Sequence, residues 1–335
     1  MEEMSRFHIA KEHLCMGITS FLNGQYIEAQ KNLKDALKQD SSLILAYCYL
    51  GIISLEIGCL EEALDWCERG LKIDPNDTYL HYCYGVALEK NSFLEKAIEE
   101  YLFYINHHPE DLECWFSLGS VYERQQDFDN ALMCFEKICA LEPWNYKALY
   151  NKASILEAMQ KIFEAKEVLE VVVSKNPLYW KAWVKLGLFY SQENLWEKSA
   201  HAYEQAVRLR PELSDGHYNL GLCYLSLDKS QLALKSFQEA VSLNSEDADA
   251  QFYVGLSYIE LKQEEQAMNA FKKVLNINLD HEKAHYLLGC LYYMRGLYDK
   301  VEKEQMFLNQ SGSSFAPLLK NILANDSFLM KFDNM

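Results

Sequence analysis

The chain has 335 residues, half of them apolar, and carries 32 Lys and Arg against 49 Asp and Glu for a net charge of −17. That apolar share is enough to bury a continuous core. Bases scattered through an acidic chain argue against nucleic acid, which takes clustered cations to displace phosphate counterions, and against an anionic membrane surface.

The elements are set by a repeat. Gly17, Gly51, Gly85, Gly119, Ala153, Gly187, Gly221, Gly255 and Gly289 stand 34 positions apart without slippage. A period of this size marks a stacked array of supersecondary units. It overrides the two or three domains that length alone suggests. Residues 1–9 read as an N-terminal extension. Nine units follow over residues 10–315: 10–43, 44–77, 78–111, 112–145, 146–179, 180–213, 214–247, 248–281 and 282–315.

The fourth unit shows the pattern. Leu112, Trp115, Leu118, Gly119 and Tyr122 fall at helical spacing. Arg124 to Asp127 break that run, and Phe128, Ala131, Leu132, Phe135 and Ile138 begin a second helical face. Pro143 stops it, since proline has no amide hydrogen to donate and restricts the residue before it. Five of the six prolines, Pro75, Pro109, Pro143, Pro177 and Pro211, share that phase. Each unit is therefore two antiparallel helices, A and B, and a turn. Eight glycines inside A helices cost ~1 kcal/mol each against alanine. They make sense where two helix backbones approach closely, opposite small residues such as Ala29, Ala63, Ala97 and Ala131 in the B helices.

The units at the ends and the centre depart from the pattern. The first has His13 and Ser20 in place of aromatics, and the fifth has Ala153 and Lys152. The ninth has Val301 and Gln305 where Ala and an aromatic are usual. Beyond Ser311-Gly312-Ser313-Ser314, the residues Phe315, Leu318, Leu319, Ile322 and Leu323 return to helical spacing, with Pro317 suited to a first turn. Residues 316–335 read as a capping helix and tail over the last unit, with a self-inhibitory segment as the alternative.

Trp115, Leu118, Gly119, Tyr122, Ala131, Phe135 and Pro143 resemble the tetratricopeptide repeat (TPR) pattern. So do Trp183, Leu186, Gly187, Tyr190, Tyr203, Ala206 and Pro211. The resemblance implies an all-α, right-handed TPR superhelix (an α-α solenoid) whose A helices line a concave groove. It also implies a protein-binding role, since a repeat period builds a surface rather than a reaction centre.

Residues three before each small position are then expected to face that groove. They include Tyr82, Phe116, Tyr150, Tyr218, Phe252 and Tyr286, aromatic anchors suited to an extended polypeptide. The alternative is ordinary inter-helix core. Six before the small position stand Lys147, Lys181, Asp215, Asp249 and Lys283, and two before stand Asn151, Lys185 and Asn219. Asn151, Lys181 and Lys185 resemble part of the carboxylate clamp of TPR co-chaperones, but Phe116 and Ser120 stand where that clamp has Lys and Asn.

No Cys/His set has zinc-ligand spacing among the 10 cysteines, and no nucleotide, metalloprotease or nucleophile-elbow motif occurs. Cys67 and Cys290 hold slots that are apolar in sister units, so the thiols read as reduced, structural ones. Residues Met1 to Leu14 lack the apolar stretch of a signal peptide, and the uncharged run Ser41 to Leu55 is too short to span a bilayer. The expectation is a cytoplasmic, non-enzymatic scaffold for protein or peptide partners, without metal or cofactor. A TPR chaperone, either of the type III secretion kind or a carboxylate-clamp co-chaperone, and a regulatory subunit of an enzyme complex are the alternatives.

Overall fold

The computed structural model describes residues 2–324, so residues 325–335 of the expected tail lie outside the described part. Nineteen α-helices and no strand occur among the described residues. They alternate as A and B helices: α1 (Glu2–Leu22) and α2 (Tyr26–Gln39), α3 (Ile44–Glu56) and α4 (Leu60–Leu71), α5 (Thr78–Lys90) and α6 (Leu94–His107), α7 (Leu112–Arg124) and α8 (Phe128–Leu141). Then come α9 (Tyr146–Ala158) and α10 (Ile162–Lys175), α11 (Trp180–Gln192) and α12 (Trp196–Leu209), α13 (Ser214–Ser226) and α14 (Ser230–Leu243). The last are α15 (Ala248–Glu260) and α16 (Glu264–Ile277), α17 (Glu282–Met294) and α18 (Tyr298–Gln310), and α19 (Ala316–Ala324). α1 reaches back to Glu2, so residues 2–9 are helical.

Contacts divide the chain into two compact units, Met1–Val168 and Leu169–Met335, with the division inside α10. In each unit consecutive helices pack as neighbours.

A second 34-residue beat lies in the A-to-B turns. Gly24, Gly58, Ser92, Gln126, Gln160, Asn194, Asp228, Lys262 and Gly296 all have positive φ, between 56° and 79°. The amide after each donates to a carbonyl five residues back, as Gln25 N does to Ser20 O at 2.8 Å and Asp127 N to Tyr122 O at 2.9 Å. This is the Schellman ending of a helix, which satisfies carbonyls that otherwise lack partners. Only three of the nine turns use glycine, for which positive φ is free of Cβ strain.

The B-to-A turns are held by ring donors. Trp115 Nε1 donates to Pro109 O at 3.0 Å and Trp183 Nε1 to Pro177 O at 2.8 Å. His81, His217 and His285 make the same bond through Nε2, to Pro75 O, Pro211 O and Leu279 O, and the Tyr47 hydroxyl donates to Ser41 O. Asp77, Asp111, Asn145 and Asp247 cap the following A helices, each accepting from the third amide in.

The small residues have a different cause from the one expected. A Cβ on Gly255 would lie 2.5 Å from Phe271 Cε1, and one on Gly221 2.6 Å from Phe237 Cε1. Gly85 meets Tyr101 and Gly187 meets Tyr203 in the same way, each at the residue 16 positions later. What needs the room is the side chain that the B helix lays across the A helix, rather than a backbone-to-backbone approach. The B-helix alanine slot lies against the A helix as well, with Ala63 O 3.9 Å from the Cβ position of Gly51. There Ser199, fully buried, donates from Oγ to Gly187 O at 2.7 Å.

The ninth hairpin lacks its own filler, because Gln305 stands where the aromatic is usual. α19 supplies one: a Cβ on Gly289 would meet Leu319 Cδ2 at 2.7 Å, and Leu319 is fully buried. Gln305 Nε2 donates to Ala316 O at 3.0 Å, and Ser313 Oγ donates to Glu282 Oε2 at 2.6 Å, which fixes the start of α19. The C-terminal helix therefore caps α17 and α18.

Candidate functional site

The A helices carry the candidate anchors. In the compact unit Met1–Val168, Tyr82, on α5, is half-buried, its ring 5.1 Å from Tyr104 and 6.0 Å from Tyr101. Burial, helped by nearby Cys114, Glu113 and Asp111, pushes its phenol up to about 12. The Phe116 ring, on α7, is centred 5.9 Å from that of Phe135 and receives Lys147 Nζ 4.6 Å from its centroid. Tyr150 and Asn151, on α9, are half-buried, and burial with the Glu157 charge raises the Tyr150 phenol.

In the second unit Lys181 is exposed on α11 and lies 5.8 Å from the Trp180 ring, and Lys185 is half-buried one turn on. The Lys/Asn set read from the sequence is thus divided, with Asn151 in one unit and Lys181 and Lys185 in the other. Tyr218 and Asn219, on α13, are half-buried, and the Tyr218 ring sits 5.8 Å from Phe237 and 5.6 Å from Tyr253. Phe252 and Tyr286 are buried, the first 4.8 Å from the His281 ring and the second 5.3 Å from Phe315.

Three of these residues meet at open recesses. Tyr218 and Phe252 line one of about 490 Å³ with Asp249, Tyr253, His281, Glu282, Lys283 and Phe315. Phe252 and Tyr286 line a second, of about 270 Å³, with Leu256, Ile259, Glu260 and Leu287. Tyr253, Lys283 and Phe315 belong to both. Sequence reasoning did not single out Tyr253 or His281, and it read Phe315 as part of the capping segment rather than of a site. Tyr253 is one residue past the anchor phase, and His281 stands at the capping phase, its Nδ1 accepting from Ala284 N at 3.1 Å.

Polar ties link successive hairpins on the other side of the A helices. The Tyr84 hydroxyl donates to Glu68 Oε1 at 2.8 Å in the first unit. In the second, Tyr190 donates to Glu170 at 2.7 Å and Tyr224 to Glu204 at 2.6 Å. Burial first, and then the bonded carboxylate, raise all three phenols.

All ten cysteines are free. Burial pushes the Cys67, Cys134 and Cys290 thiols up to about 12. Cys67 Sγ lies 2.9 Å from the Cβ position of Gly51, filling the slot of the sister aromatics. A thiol so far from ionisation is a packing group rather than a nucleophile. Among the described residues no helix is long and apolar enough to cross a membrane.

Tetratricopeptide repeat models match residues 22–78, 112–143, 147–178, 181–213, 214–247 and 249–278, well over half of the chain. The human protein O-mannosyl-transferase TMTC1 is 24% identical over 124 residues, 36% of this chain and 14% of that protein. A TPR repeat-containing protein of Methanocaldococcus jannaschii is 33% identical over 115 residues, 33% of this chain and 35% of that protein. The chain thus spans only a minor part of the curated relatives it matches. The crystal structure of YrrB, described as a TPR protein with an unusual peptide-binding site, superposes with a TM-score of 0.52 at 22% identity, covering 56% of this chain and 97% of that one. The repeat models, the helical hairpins and their fixed spacing agree: the chain belongs to the tetratricopeptide repeat family.

Proposed function

We propose that the chain is a non-enzymatic scaffold that holds extended polypeptide segments against its A-helix face. One observation carries this reading. Tyr82, Phe116, Tyr150 and Tyr218 share one phase of the repeat and are half-buried, so each keeps ring surface that its own helices do not cover. Such rings bring large contact area at low entropic cost, and the tyrosines add a hydroxyl. A few of them would supply most of the affinity. Lys147, Lys181 and Lys185 would bias the choice of partner toward acidic groups near the middle of the sequence. TPR proteins in general mediate protein–protein contacts, and the structural relative named above carries a peptide site. Free, buried thiols fit a reducing compartment such as the cytoplasm.

The test is a double substitution. Tyr150→Ala with Lys181→Glu should weaken binding of display-selected peptides at least tenfold while circular dichroism keeps its helical signal. Unchanged affinity in that variant would count against the A-helix face as the binding surface.

A further inference from the structure

Repeats of fixed length allow one place in the fold to be compared along the chain. Within each compact unit, a residue three before a small position can lie beside the residue six before the next one, as Tyr82 does beside Glu113. Phe116 and Lys147 form such a pair, and the lysine ammonium lies 4.6 Å from the ring, so this slot carries its own cation. Three repeats later the same slot holds Tyr218 and Asp249. The lysine has become a carboxylate, and the ring opens on the recess of about 490 Å³.

We propose that this recess, between α13, α15 and α17, takes a cationic side chain, an arginine or lysine of an extended partner segment, seated against the Tyr218 and Tyr253 rings with its charge toward Asp249. The inference rests on the reading that the A-helix face binds polypeptide, and it names the chemistry of one subsite.

The surroundings favour a cation over an anion. Aromatic faces attract cations through the ring quadrupole, more strongly where water is displaced. Asp249 is exposed and makes no hydrogen bond or ion pair among the described residues. The one lysine on the rim, Lys283, also lines the neighbouring recess, and Asp249, Glu282 and Glu260 outnumber it across the two. His281 presents no opposing charge: its Nδ1 accepts from Ala284 N and so carries no proton, and burial lowers its pKa. The helix N-termini nearby offer little to an anion, since Asp247 and His281 already accept from Ala250 N and Ala284 N. The Tyr218 phenol is raised by burial first, then by the neighbouring Tyr253 hydroxyl and by the Asp249 and Asp247 carboxylates.

The experiment uses the full chain labelled with 3-fluorotyrosine and observed by fluorine NMR, with Tyr218→Phe and Tyr253→Phe to assign the two signals. The probes are N-acetyl-arginine methylamide and its neutral isostere, N-acetyl-citrulline methylamide. Saturable shifts of both signals are expected, with the arginine probe at least fivefold tighter and the difference abolished by Asp249→Asn. Equal affinity for the two probes, an unaltered preference in Asp249→Asn, or no shift at either tyrosine would overturn the proposal. Display-selected peptides separate the two readings. Peptides that bind this face without needing Arg or Lys leave the scaffold reading intact and sink the cation subsite. Failure of all peptides sinks the scaffold reading.

Discussion

Gly255→Ala sets two forces against each other in a way the structure can weigh. Alanine is the better helix former by ~1 kcal/mol in a helix interior. The new Cβ would lie 2.5 Å from Phe271 Cε1, 2.8 Å from Cζ and 2.9 Å from Cδ1. Phe271 is fully buried, so the ring has no free space to move into. Forcing a methyl group into a filled core costs ~1–3 kcal/mol. The expected outcome is a net loss of up to about 2 kcal/mol, opposite in sign to propensity alone. Phe271→Leu should relieve the clash, since the fifth repeat pairs Ala153 with Leu169 at these phases. The double variant should then be more stable than the sum of the singles predicts, by about 1 kcal/mol. Urea unfolding followed by both circular dichroism and fluorescence is the assay, because repeat arrays need not unfold in one step. Stabilisation by Gly255→Ala, or strict additivity in the cycle, would refute the side-chain origin of the glycine period.

The turns offer a gain. Gln126→Gly, at a φ of 62°, should stabilise the first unit by ~1 kcal/mol by removing left-handed strain, read as a higher urea midpoint. Leu319→Ala should cost ~2–5 kcal/mol locally, seen as faster amide exchange in α17 and α18 with α5 to α8 unchanged. Two histidines near α19 should give opposite pH slopes. Burial lowers His285, but hydrogen bonds to Glu304 and the Leu279 carbonyl outweigh it and raise its pKa above 6.5. Its contribution is therefore complete below 6.5 and lost as pH rises through the folded value. Glu304→Gln should remove that alkaline loss from the melting temperature. His281, held low by burial, should cost stability as pH falls from 6.5 through its lower folded value. His281→Asn, which caps without titrating, should remove the acid loss.

Much of the fold was legible because 34-residue spacing repeats at several phases at once. The A and B helices and the proline-marked turns followed from it, whereas the capping helix was read from helical spacing beyond the last repeat, with a self-inhibitory segment as the alternative. The turn phase escaped notice because Ser92, Gln126, Gln160 and Lys262 are not residues that advertise positive φ, which leaves Gly24, Gly58, Asn194, Asp228 and Gly296 to hint at it. The cause of the glycines was misread as backbone approach, since sequence shows that a position is small and not what lies against it. The anchors were visible as a phase, but their exposure was not. At the same register Phe252 is buried, with the His281 ring 4.8 Å away, and Tyr218 is half-buried, with Tyr253 packed against it at 5.6 Å. The recess was hidden for a further reason. It joins residues from α13, α15, α17 and the segment before α19, and Phe315 stands at the capping phase, where the sister units hold Asp77, Asp111, Asn145, Asp247 and His281 and no sister phenylalanine marks it.

The binding claim is tested most directly by photo-crosslinking. A benzophenone amino acid placed at Tyr82, Tyr150 or Tyr218 reports on the A-helix face, and one placed at Phe163 or Met306, which are 67% and 59% exposed on B helices, reports elsewhere. With a display-selected peptide, adducts should form from the first three positions and not from the last two. Adducts confined to Phe163 and Met306 would contradict the account.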